Sequence, residues 1–406
     1  MHMKLRWLLA GVAVTSILAW NSCINSSKQP ANTSLMWVAT QGDQKVRTFT
    51  LNQENGSIEP VGNSNGNPAA TGVQPTQMIV TPDAKTMFIV NSGANGTAGS
   101  ITAYTFNADG SLAAAGSGVA AGETPISIAI DPAGKFLFVA NQGLSTDVTS
   151  GTISVFSVSG TSLSPVGTFP TETAGDVSGT GPSAVVVSPV GNFLYVANQF
   201  SNTVEAFSYD GSGNLTLINK YTAGTNPSGL AFSRCAGVSS GTATASCPAA
   251  DSNNLFVANA GSNNISIFNA CIQVSGTCAS PNGTLTEIPT GSPIGAGVGP
   301  ATILVDPTSD FVYAVNRGSS QVSQYQYSPA TGVLTTLGTS SGGASVFSGG
   351  ITQNTSNNTS TFNWVVVSNN GGSSLSVFRV AITGKLAGLT SGQYSVQGQP
   401  SAILLR

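Results

Sequence analysis

The sequence predicts an all-β fold: a seven-bladed β-propeller of four-stranded blades, its ring closed by the C-terminal strand pairing into the first blade. Three observations predict it. One strand-rich unit recurs seven times at blade-like spacing, no helical periodicity accompanies it, and the strand missing from the first copy stands at the C-terminus.

The clearest unit is DPAGKFLFVANQGLSTDVTSGTISVF, residues 131–156. Asp131-Pro132-Ala133-Gly134 is a turn, because Pro sets φ and Gly tolerates the backbone conformation that closes it. Phe136 to Ala140 is a short apolar run, the pattern of a strand buried on both faces. Thr152 to Phe156 alternates polar and apolar, as a half-buried strand does. Pro125 to Ile130 precedes the turn as an inner strand, and Leu163 to Gly167 comes last as a weaker outer one. The residue closing the apolar run recurs as Thr40, Asn91, Asn141, Asn198, Asn259, Asn316 and Asn369, at intervals of 50 to 61 residues. A four-stranded repeat of roughly 50 residues is blade spacing, whereas solenoid coils repeat at about 20 to 45.

In chain order, Lys4 and Arg6 precede an apolar run from Trp7 to Trp20 that is too short to span a bilayer comfortably. Residues 1–22 read as a secretory signal. Cys23 comes next, in the place of a lipidated cysteine; the alternative is an ordinary signal with an incidental Cys. Residues 23–33 form a tether, and residues 34–406 the propeller. The first blade begins at Ser34 without a Pro-led inner strand, and its strands are Leu35 to Ala39, Val46 to Leu51 and Gly56 to Val61. Blade 2 opens at Gln74-Pro75 and ends near Ala113. Glu123-Thr124-Pro125 opens blade 3, Pro182 blade 4, Asn226-Pro227 blade 5 and Gly299-Pro300 blade 6. Blade 7 is the least regular. Gln399 to Leu405 matches Gly181 to Val187, so this last stretch supplies the inner strand of the first blade.

Composition narrows the function. Charged residues are 7% and the net charge is −3, so no basic stripe invites nucleic acid. The polar, weakly charged surface suits an exported protein: periplasmic, attached to the outer membrane or extracellular. Cys235, Cys247, Cys271 and Cys278 lie in two insertions of blade 5. Proximity favours the disulfides Cys235–Cys247 and Cys271–Cys278, each worth roughly 2 to 3 kcal/mol. Zinc is the weaker alternative, since neither His nor CxxC accompanies these cysteines.

Two loop sets share one face, those before each Pro and those after each Asn. This loop face carries Gln74, Glu123, Asn226 and Gln399 from the first set, and Asp43, Lys45, Gln142, Asp147, Gln199, Asn263 and Arg317 from the second. The Asn series itself reads as architecture, because a residue present in every blade does not mark one site. Arg317 departs from the pattern, and a guanidinium there could hold a carboxylate or phosphate. Gln142 and Gln199 are further binding candidates. Glu123 and Asp147 are candidate acids or bases beside Arg317, and Glu205 stands out as a carboxylate inside a strand. The one His is His2, within the predicted signal, so the propeller has neither a His-based triad nor a His metal ligand. GxSxG occurs at 62–66 and 338–342, in Gly/Ser-rich loops without a strand-to-helix turn, and reads as chance. No cofactor or metal is expected.

The repeat, exemplified by PISIAIDPAGKFLFVANQG at 125–143 with ISVF at 153–156, resembles the seven-bladed lactonase-type propellers, the 6-phosphogluconolactonase and muconate-cycloisomerase-like group. It is also similar to the surface-layer YVTN propellers, through FLYVAN at Phe193 to Asn198. The resemblance covers residues 34–406 and implies the propeller fold. For an enzyme it implies His, Glu and Arg on the loop face, of which this chain offers Arg317 and an acid. The leading expectation is an exported binding or scaffold propeller of the cell envelope, monomeric, holding a small-molecule or envelope ligand on its loop face. Contact with a membrane would come only through a lipid on Cys23. The alternatives are a lactone hydrolase with a His-free site on the same face, and a surface-layer component.

Overall fold

In the computed structural model, residues 32–63, 66–94, 98–143, 151–171, 181–233, 253–275, 278–308, 310–352 and 363–406 are described. Within them the strands form seven antiparallel sheets, and none of these residues is helical. Blade 3 shows the plan: Pro125–Ile130, Phe136–Asn141, Thr152–Ser159 and Ser162–Pro170 lie side by side from the channel outward. The second strand of this blade is buried at every position. Its alternate side chains go to opposite neighbours, Leu137 and Val139 packing toward blade 2, Phe138 and Ala140 toward blade 4. A strand sandwiched this way must be apolar on both faces, hence its unbroken apolar run.

The Pro and Asn of the repeat belong to one device. Pro75, Pro125, Pro182, Pro227 and Pro300 each pair with the Asn of their own blade, and a register shift comes immediately after. Pro cannot donate to a ladder, so the first position of an inner edge strand suits it. The residue before Pro is often left-handed, as at Gln74, Thr124, Asn226 and Gly299. Its carbonyl accepts the N–H of the residue after the Asn, for example Thr124 from Gln142 at 3.0 Å and Gly299 from Arg317 at 2.9 Å. The Asn side chain is buried and reaches the third strand: Asn141 Nδ2 donates to Thr152 Oγ1 at 3.1 Å and Ser154 Oγ at 2.9 Å, and Gly122 N–H donates back to Asn141 Oδ1 at 3.1 Å. A Cβ on Gly122 would lie 2.4 Å from this amide. The Asn series is therefore structural.

The ring closes as expected. Pro400–Leu405 pairs antiparallel with Thr33–Thr40, with Met36 opposite Leu405 and Thr40 opposite Pro400. Ser401 Oγ then donates to Pro75 O of blade 2 at 2.6 Å, as Ser183 does to Pro227 and Ser228 to Pro300 further round. Side chains of blades 7 and 1 form one apolar cluster around Trp364 and Leu405.

The fourth strands depart from expectation. In blades 1, 2 and 5 the outer strand is split in two, as Ile58–Pro60 with Ala69–Ala70, Leu112–Ala114 with Val119–Glu123, and Leu285–Glu287 with Ile294–Gly295. Blade 2 thus runs past Ala113 to Glu123, and Glu123 ends that blade. These edge pieces are short and rich in Ala and Gly, so they carry no apolar alternation to read. Cys271 and Cys278 form a disulfide, with their Cα atoms 5.2 Å apart. Cys235, Cys247, Cys23 and the predicted signal and tether up to residue 31 lie outside the described residues.

Candidate functional site

All seven inner strands lack charged residues and His, so the channel wall is uncharged. Charge enters at the mouth, on the loop face. There the residue after each Asn, or after Thr40, is held by its backbone: Gln41, Ser92, Gln142, Gln199, Ala260, Arg317 and Asn370 all donate N–H to the residue before the inner strand of their blade. One strand-end device thus presents seven side chains around the mouth.

Arg317 is the cation of this ring. It comes directly after Phe311–Asn316 in blade 6, and its guanidinium carbon lies 3.9 Å from the ring centroid of Phe347. Phe347 is the second residue of Val346–Ile351, the inner strand of blade 7. The arginine therefore reaches across a blade boundary onto a channel-lining strand. Phe347 is the one aromatic at this position; the other blades have Thr76, Ile126, Ser183, Ser228, Ala301 and Ser401. Burial lowers the Arg317 pKa below its ordinary value, yet a guanidinium starts so high that it stays charged. Although its head is stacked, the residue is exposed overall. Among the described residues no carboxylate forms an ion pair with it. A cation over an aromatic face, open to solvent and uncommitted, can receive a carboxylate, a phosphate or a polarised carbonyl oxygen.

The remaining candidates separate. Gln142 and Gln199 occupy the positions of Arg317 in blades 3 and 4, half-buried at the mouth. Glu123 ends the outer strand of blade 2, and its carbonyl accepts the Gly143 N–H at 3.1 Å. It is on the loop face, but at the boundary of blades 2 and 3, far round the ring from blade 6. Asp147 lies outside the described residues. Asn263 Oδ1 accepts the Gly299 N–H at 2.8 Å, and Asn226 N–H donates to Asn202 Oδ1 at 2.8 Å, so both brace loops.

Two charges replace the hydroxyls that usually hold the Asn. Thr102, Ser154, Ser266, Ser323 and Ser376 serve in five blades. The equivalent residue in blade 4 is Glu205, 1% exposed, with its carboxylate 3.3 Å from Lys220 Nζ. In blade 1 it is Arg47, 2% exposed, which binds Thr40 Oγ1 at 2.7 Å and pairs with Asp43. Asp43 is therefore committed within blade 1. Burial raises its pKa, but hydrogen bonds from Arg47 and Thr40 and the Arg47 charge outweigh this and hold it below the usual carboxylate value. Sequence reading missed Arg47 and Phe347, although aligning the repeats column by column marks both as exceptions.

The strands thus form a ring of seven meander blades, and among the described residues Arg317 is the one cation at the position after the Asn. The model of the seven-bladed β-propeller lactonases matches residues 35–161, 145–238 and 245–401, and the chain belongs to this family. Among solved structures it is similar to the periplasmic gluconolactonase of Pseudomonas aeruginosa, with 21% identity and a TM-score of 0.70 over 92% of this chain and 99% of that one. A 6-phosphogluconolactonase-like protein of Bacteroides fragilis gives 18% identity and a TM-score of 0.70 over 93% and 99%. At such identities the likeness speaks for the fold. No curated protein matches the sequence significantly.

Proposed function

We propose that this protein is an exported lactone hydrolase, acting on a sugar-acid lactone held at the mouth of its channel. The observation that carries the reading is the uncommitted Arg317 guanidinium over Phe347, in a chain of the lactonase family. Arg317 donates to the lactone carbonyl oxygen. Water adds to the carbonyl carbon, and the guanidinium stabilises the oxyanion that forms. The ring C–O bond then breaks, the ring oxygen takes up a proton, and the hydroxy acid leaves. Gln142 and Gln199 offer amide donors and acceptors for the sugar hydroxyls from the same ring of positions. Export is supported by the basic and apolar start of the chain, the Cys271–Cys278 disulfide and the periplasmic relative.

A second reading is a binding propeller of the cell envelope that does not turn its ligand over. What favours it is the absence, among the described residues, of a carboxylate paired with Arg317 to activate water. One assay separates the two. Purified protein is offered a panel of sugar-acid lactones beside Arg317→Ala, with spontaneous opening subtracted. The hydrolase reading expects turnover that drops about 10²–10³-fold in the variant, the usual cost of removing an oxyanion donor. Arg317-dependent binding without turnover would establish the binding reading. Neither binding nor turnover would sink both.

A further inference from the structure

The opposite face, where the tight turns lie, contains a cavity that the repeat does not predict. At most blade junctions the first residue of the second strand packs beneath a turn glycine of the next blade. A Cβ on Gly213 would lie 2.8 Å from the Phe136 ring, on Gly283 2.4 Å from Phe193, on Gly384 2.1 Å from Phe311, and on Gly56 2.3 Å from Trp364. Leu35 and Asn254 fill the same space against Gly110 and Gly332. The junction of blades 2 and 3 differs on both sides. The second strand of blade 2 begins with Thr86, and a Cβ on Gly160 of blade 3 would meet nothing within 4 Å. Ser159 pairs directly with Ser162, so this hairpin is too short to fold underneath as the longer turns do.

A slot of about 130 Å³ results. Pro82 and Val158 give it apolar walls, while Thr81, Thr86 and the Asp83 carboxylate line its polar side, the Thr81 hydroxyl being engaged by Asp83 and the Thr86 backbone. Asp83 is oriented: Thr81 Oγ1 donates to its Oδ1 at 2.6 Å, and so does Lys85 N–H at 3.2 Å. Its Oδ2 lies 4.0 Å from Lys85 Nζ, at the edge of ion-pair distance, so it can accept from a bound hydroxyl.

We propose that this slot is a second binding site, for a single hydroxylated six-membered ring of monosaccharide size. The shape argument is internal to the molecule: four of the six other junctions put a Phe or Trp ring in this space. The chemical argument is the lining, where apolar walls suit the faces of a sugar ring and a held carboxylate suits its hydroxyls. The site lies on the far face from Arg317 and does not depend on the lactonase reading.

Saturation-transfer NMR with methyl β-glucoside tests it, since the glucoside has no lactone to open. For so small a ligand, affinity is about millimolar. Transfer is expected in the purified protein, unchanged in Arg317→Ala and at least about tenfold weaker in Asp83→Ala, the loss of one charge-assisted hydrogen bond. It should be lost in Thr86→Phe, which restores the ring of the other blades, and in the gentler Thr86→Leu, with melting curves confirming that both fold. No transfer in the unmodified protein overturns the proposal, as does transfer that survives both Thr86 variants or disappears with Arg317. Binding of phenol but not of the glucoside overturns the sugar assignment.

Discussion

At the scale of residues, the pair of exposed Asp43 with buried Arg47 carries a consequence that can be measured. Asp43 has a lowered folded pKa, so its contribution to stability is present above the unfolded carboxylate value of about 3.9 and is lost as pH falls through the lower folded value. Asp43→Asn should therefore melt below the parent at pH 7, with the gap closing below about pH 4. A gap that stays constant down to about pH 2 would show that the Arg47 pair contributes nothing through ionisation. Leu137 is fully buried between blades 2 and 3. Leu137→Ala should cost about 2–5 kcal/mol in denaturant unfolding, through lost apolar burial and the cavity left behind.

At the scale of the strand and its ends, the Asn device makes a sharper prediction. Asn141 is fully buried and bonded to Thr152, Ser154 and Gly122. Replacing it by Ala strands those partners in the interior, at about 1–3 kcal/mol for each unsatisfied group. If Asn141→Ala impaired lactone turnover while unfolding at the parental denaturant concentration, the structural account would be wrong. The same strands show what could be read from sequence. FLFVAN at 136–141 declares itself because both faces of the strand must be apolar, and Asn141 because its role repeats in every blade but the first, where Thr40 stands in. Val119–Glu123 and Ala69–Ala70 do not, since a short solvent-facing edge needs no pattern. At the candidate site Arg317 was legible as a break in a repeated column. Phe347 beneath it is an exception in its own column, but nothing in the linear sequence places the second residue of one blade under a side chain of another.

For the whole molecule, closure is the decisive feature. Pro400–Leu405 completes the first blade, and its Ala402, Ile403 and Leu405 are buried. Deleting residues 400–406 removes those contacts and exposes the faces of blades 1, 2 and 7 that they cover. The truncated chain should lose its cooperative melt or melt far below the parent in calorimetry. An unchanged melting temperature would mean that the ring does not need this strand.

Closure also decides which way the molecule faces. Thr33–Thr40 runs from the turn face up to the loop face, where Thr40 takes the Asn position. Thr33 therefore lies beneath, on the side opposite Arg317. Cys23 stands ten positions before Thr33, a reach of at most about 35 Å when extended. A group joined to the chain at Cys23 is thus tied, through Thr33, to the face of the Thr86 slot and not to the rim that carries Arg317.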